Sequence, residues 1–104
     1  MAQIFHYGPY YEISADGALG PGEEDYWSFG PWEWWAFAVN ITAHPLETIR
    51  LAGQDCTLAV TSISARAAPT EPPAPRSDRY IYCTVRNVGQ DRANYAVWLG
   101  GVRP

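Results

Sequence analysis

Proline and glycine punctuate this chain at strand-length intervals, and that spacing limits its fold more than any other feature. Nine prolines and nine glycines divide the 104 residues into pieces of roughly strand length. No stretch repeats apolar residues at the three- and four-residue spacing of an amphipathic helix. What recurs is alternation with period two, rich in Val, Ile, Thr, Trp, Tyr and Phe.

The pattern predicts strands over 2–7, 10–15, 25–29, 33–43, 56–65, 79–88 and 94–102, with a weaker one over 46–51. Residues 67–78 read as an exposed, semi-extended proline-rich loop. Short strands with frequent turn signals and no room for a helical layer imply an all-β fold. The expectation is one antiparallel β-sandwich of seven to eight strands over residues 1–104, Ig-like or jelly-roll-like. Strand parity then assigns faces. Trp35, Phe37, Val39 and Ile41 are expected inside, with Trp34 outside. Trp27 and Phe29, Cys56, Leu58 and Val60, Ile81, Cys83 and Val85, and Tyr95, Val97 and Leu99 are also expected inside.

Charge is unevenly spread. Residues 1–47 hold seven acids and no base, giving -7; residues 48–104 hold seven arginines and four acids, giving +3. Scattered bases disfavour nucleic acid as a partner, because phosphate binding needs a concentrated basic face. Either the halves offset each other within one molecule, or an acidic surface of one copy meets an arginine surface of the next. No apolar run approaches the ~20 residues of a membrane-spanning helix. The start shows no basic segment and apolar block of a signal peptide, so a cytoplasmic location, or release without a classical signal, is expected.

No residue set points to catalysis, a cofactor or a metal. Lysine is absent, which closes Schiff-base chemistry. His6 and His44 are isolated, and no zinc spacing occurs. Glu23-Glu24-Asp25 matches no calcium loop. If 56–65 and 79–88 pair as a hairpin, Cys83 falls opposite about Val60. Cys56 then lies roughly 13 Å away at strand rise, beyond the ~7 Å Cα limit of a disulfide. Two buried free thiols are expected.

Two segments resemble bacterial accessory modules. Tyr80 to Gly100, with its Asn87-Val88-Gly89 corner, resembles the closing hairpin of immunoglobulin-like adhesion modules of the CARDB kind. Leu19-Gly-Pro-Gly-Glu-Glu-Asp-Tyr-Trp-Ser-Phe resembles a strand of pre-peptidase C-terminal sandwiches. Both resemblances imply an all-β module without catalysis of its own.

The functional hint is an aromatic surplus. If the last two strands form a hairpin, Tyr80, Tyr82, Arg86 and Trp98 make one outer stripe. Tyr, Trp and Arg are enriched where protein surfaces bind. The expectation is a non-catalytic interaction module, binding itself as a homo-oligomer or another protein through that stripe. The alternative is a lectin-like carbohydrate-binding module using Trp32, Glu33 and Trp34, with indoles stacking on sugar and a carboxylate holding hydroxyls.

Overall fold

The computed structural model describes residues 2–48, 52–69 and 77–104. Among them are six strands and no helix: β1 (Gln3–Glu12), β2 (Glu24–Trp32), β3 (Phe37–Pro45), β4 (Leu58–Pro69), β5 (Ser77–Asn87) and β6 (Tyr95–Arg103). They form two antiparallel three-stranded sheets, ordered β1-β6-β3 and β2-β5-β4. Only β4 and β5 are neighbours both in sequence and in a sheet; every other connection crosses between sheets.

The sheets share one core. Phe5, Ile41, Tyr95, Val97 and Leu99 of one meet Phe29, Ile81, Cys83 and Val85 of the other. The central strands β5 and β6 supply the most deeply buried side chains, with Val85, Tyr95, Val97 and Leu99 fully enclosed. For β2, β5 and β6 the inward set is the one that alternation predicts. On one side the layers close where β3 approaches β4.

Each of the four edge strands carries one extra residue relative to its partner. The breaks fall between Tyr7 and Tyr10, Phe29 and Trp32, Phe37 and Asn40, and Thr61 and Ser64. Each contains a residue with positive φ: Gly8 at 106°, Gly30 at 131°, Ala38 at 51° and Ser62 at 53°. These are β-bulges, which bend and twist a strand and spoil its outer edge for pairing with another chain. Glycine is required at two of them. A Cβ at Gly8 would stand 2.8 Å from the Val97 carbonyl oxygen, and one at Gly30 2.6 Å from that of Arg79.

The bulges account for most departures from the sequence expectation. Gly8-Pro9 reads as a turn between two strands, yet the chain passes through it as a bulge, so the expected 2–7 and 10–15 strands merge into β1, and 13–15 lie beyond its end. Residues 46–48 form no strand, and 49–51, the rest of the weak segment, lie outside the described residues. Among the described residues, six strands therefore stand against an expectation of seven to eight. At Ala38 the extra residue inverts parity. Val39 and Ile41 face the core as expected, but Trp35 and Phe37 point outward, 58% and 44% exposed. Trp34 and Ala36 pack inward in their place.

The expected 56–65/79–88 hairpin forms as β4 and β5, in a different register: Val60 opposes Val85, not Cys83. Pairing runs out to Ala67, Ala68 and Pro69 against Arg79, Asp78 and Ser77. Residues 67–69 and 77–78 of the expected proline-rich loop thus belong to β4 and β5, and 70–76 lie outside the described residues. The expected final hairpin does not form, because β5 and β6 belong to different sheets. Asn87 makes the crossing. It is fully buried; its Nδ2 donates to the carbonyls of Leu19 (2.9 Å) and Asp91 (2.8 Å), and its Oδ1 accepts from the Gly89 amide (2.9 Å).

Candidate functional site

The expected stripe is divided by the topology. Tyr80, Tyr82 and Arg86 lie together on the outer face of β5. Trp98 lies on β6, outside the opposite sheet, with its ring edge-on to His44 at 5.2 Å. Placing Trp98 beside Tyr82 required β5 and β6 to pair, and the crossing at Asn87 prevents that.

The face without Trp98 is still aromatic and cationic. Across the sheet, Glu24, Arg86 and Ala59 make one row, Tyr26, Thr84 and Thr61 the next, then Ser28, Tyr82 and Ser64, and finally Tyr80 beside Arg66. Tyr80 and Tyr82 stack at 5.9 Å, and Tyr26 is 80% exposed. Arg86 pairs with Glu24 at 3.7 Å, and the Tyr26 hydroxyl donates to the same carboxylate at 3.2 Å. Arg92 pairs with Glu23 at 3.2 Å. Both ion pairs join an acid of the first half to an arginine of the second, so part of the charge asymmetry is offset within the molecule.

The Trp32, Glu33 and Trp34 constellation is assembled differently from a sugar platform. Trp32 and Trp34 stack on each other at 4.6 Å and 10°. Trp32 also stacks on Tyr7 at 5.8 Å, and the Arg103 guanidinium sits over Trp34 at 4.8 Å. Phe5 abuts both indoles edge-on. These rings plug one end of the core. The exposed indole nearby is Trp35, with the Arg79 guanidinium 6.0 Å from its centre. Arg79 also donates to the Glu33 carbonyl at 2.9 Å.

An aromatic recess has a different origin. On the side away from β3 and β4, β1 and β2 leave a groove of about 310 Å³ lined by Tyr7, Tyr10, Trp27, Phe29 and Trp32. Its walls are the two glycine bulges. Tyr7-Gly8-Pro9-Tyr10 on β1 and Phe29-Gly30-Pro31-Trp32 on β2 are one device used twice, aromatic-Gly-Pro-aromatic. The extra residue turns both flanking aromatics of each strand toward the groove. This repeat is present in the sequence, and reading each Gly-Pro as a turn concealed it.

Hydrogen bonding fixes the floor. The Trp27 indole N–H donates 2.9 Å to the Tyr95 hydroxyl, which in turn donates to the Asp25 carboxylate. Burial raises the ionisation of Tyr95 well above the ordinary phenol range, and the Asp25 carboxylate adds to the effect. Next to the groove, and sharing Trp27 and Ser28 with it, lies a polar trough of about 370 Å³ lined by Glu12, Asp25 and Tyr26. An aromatic channel thus ends at two carboxylates.

Both cysteines are free thiols. Burial pushes Cys83 up to about 11. Cys56, half-buried in the irregular segment before β4, is also raised, by burial and then by the carboxylates of Glu47, Asp91 and Asp55. Neither is an activated nucleophile, which would need a lowered pKa. Among the described residues no three His, Cys, Asp or Glu side chains converge as a metal site, and no helix is long and apolar enough to cross a membrane. No family model matches the chain, and neither a curated protein nor a solved structure matches it.

Proposed function

We propose that this protein is a non-catalytic interaction module, a small Ig-like or jelly-roll-like β-sandwich. It associates with its own copies, or with another protein, through the outer face of the β2-β5-β4 sheet. The observation that carries the reading is the set of Tyr26, Tyr80, Tyr82, Arg66 and Arg86 on adjacent rows of one face. Tyr and Arg supply large contact area and directed hydrogen bonds, and they dominate binding hot spots. The bulges support a face rather than an edge as the contact, since all four edge strands are blunted against strand addition. An accessory role of this kind is also what the two bacterial module resemblances imply. Glycan binding at Trp32, Glu33 and Trp34 ranks second, because the two indoles spend a ring face on each other.

Size-exclusion chromatography with light scattering tests the reading. The wild-type chain is expected to gain mass with concentration. A Tyr82→Ser, Arg86→Ser variant, altered only on this outer face, is expected to shift the midpoint at least tenfold higher. A wild-type chain that stays monomeric, and whose surface captures no partner that the variant fails to capture, would sink the proposal.

A further inference from the structure

We infer that the outer face of the β1-β6-β3 sheet is a contact surface for a second copy of this chain, paired about a two-fold axis that sets Trp98 of each copy on Gly100 of the other. This surface lies on the opposite side of the molecule from the tyrosine and arginine face, and its pairing does not depend on that face.

The surface is apolar and uncharged. Ile4, Tyr11 and Phe37 on the edge strands are 88%, 59% and 44% exposed. Ile4 and Phe37 flank Val102, and Tyr11 is in register with Ala96, so all three share the outer side of β6 with Trp98. Among the described residues, no Asp, Glu or Arg side chain stands on these rows, whereas the outer face of the other sheet carries Glu24, Arg66 and Arg86. Glu12 and Arg103, next along the strands, turn to the other side, Glu12 into the trough beside Asp25 and Arg103 over Trp34. In a chain of net charge -4, exposed acids oppose contact between copies. Here two copies meet without like-charge repulsion and without burying an unpaired ion, while the face offers a charged partner nothing to select.

Its relief is self-complementary. Trp98 is the largest side chain of β6 on this side, and His44 holds its ring edge-on at 5.2 Å. Two residues on, Gly100 leaves a gap: a Cβ there would meet nothing nearer than the Phe5 carbonyl oxygen at 3.8 Å. A two-fold axis crossing the strands at the level of Leu99 carries residue 98 onto 100 and residue 96 onto 102, so each indole fills the other copy's gap. Thr42 is in register with Trp98 and Asn40 with Gly100, so Thr42 of one copy faces Asn40 of the other. Four rows at ~6.7 Å and three strands at ~4.8 Å cover about 27 by 14 Å. With the relief of the side chains, two copies bury ~1,000 Å² together, the lower limit for a specific contact and the size of a weak, reversible dimer.

Sedimentation equilibrium over a concentration series tests the pairing, with Tyr82→Ser, Arg86→Ser in every chain so that the opposite face contributes nothing. A monomer–dimer equilibrium is expected. Gly100→Glu, whose side chain has open space above the sheet, is expected to weaken the dimer at least tenfold without lowering the Tm of the monomer. Mixing supplies the decisive arm, because Thr42 and Asn40 are exposed positions that tolerate charge in the single chain. A Thr42→Glu, Asn40→Glu chain and a Thr42→Arg, Asn40→Arg chain should each be monomeric alone and form a one-to-one complex together, weakened by salt. Absence of any dimer of the parent chain at millimolar concentration overturns the inference. So does a Gly100→Glu chain that dimerises as tightly as the parent, or a charge-reversed pair that fails to combine. Failure of the tyrosine-face reading looks different: the wild-type chain and the Tyr82→Ser, Arg86→Ser chain would then associate alike, and this dimer would remain.

Discussion

Replacing Tyr95 by phenylalanine tests the physical core of the groove. The ring stays and only the hydroxyl goes, so no large cavity opens. Two hydrogen bonds are lost: the one Tyr95 donates to Asp25 and the one it accepts from the Trp27 indole at 2.9 Å. A neutral bond contributes about 0.5–1.5 kcal/mol and one to a carboxylate about 1.5–3 kcal/mol. Asp25 is only half-buried and regains water, which favours the lower end for that bond. The Trp27 N–H faces the interior and is left without its acceptor. The expected loss is ~2–3 kcal/mol, or ~8–20 °C in Tm for a domain of this size. Urea unfolding with an unchanged m-value checks the magnitude. A Trp27→Phe, Tyr95→Phe double-mutant cycle should show positive coupling, because the two residues share one bond. Asp25→Asn, which keeps an acceptor for the hydroxyl, should cost less than Tyr95→Phe. A loss below about 0.5 kcal/mol, well under one neutral bond, would refute the claim that this network fixes the groove floor.

Three further outcomes are expected. Asn87→Ala removes three hydrogen bonds, those to the Leu19 and Asp91 carbonyls and from the Gly89 amide, of which Leu19 keeps the Ala93 amide and Gly89 keeps the Thr57 carbonyl as partners, and should cost about 2–4 kcal/mol in chemical denaturation. Ala38→Gly relieves a non-glycine residue at φ 51°; set against the added backbone entropy, it should be neutral or stabilising by up to ~1 kcal/mol. Cys83 ionises at about 11 when folded, against 9.0 ordinarily. The unfolded chain therefore loses this proton first, and stability should fall as pH rises from 9 toward 11, by ~1.4 kcal/mol per unit. Cys83→Ala should flatten that slope, leaving the smaller contribution of Tyr95. In thiol labelling at pH 8, Cys56 should react before unfolding and Cys83 only with it.

Different parts of the molecule were legible to different degrees. Alternation identified the inward residues of β2, β5 and β6, where the strand runs into the core without a break. It failed on Trp35 and Phe37, because one extra residue at Ala38 reverses the faces and a small residue at positive φ leaves no mark in the sequence. The outer-face tyrosines were found, but Trp98 was attached to them by a hairpin that does not exist. The groove went unseen, although its two aromatic-Gly-Pro-aromatic segments are plain in the chain, because Gly-Pro serves a turn and a bulge equally well.

Local stereochemistry follows from the amino-acid order alone. Period-two alternation and frequent glycine and proline admit strands and exclude helices, since side chains on a strand alternate by covalent geometry alone. Which strands are neighbours, where the extra residues sit, and hence which aromatics meet, follow from long-range packing. Those choices depend on burying Val85, Tyr95, Val97 and Leu99 between two layers at once. That packing energy belongs to residues far apart in the chain, and no local pattern carries it.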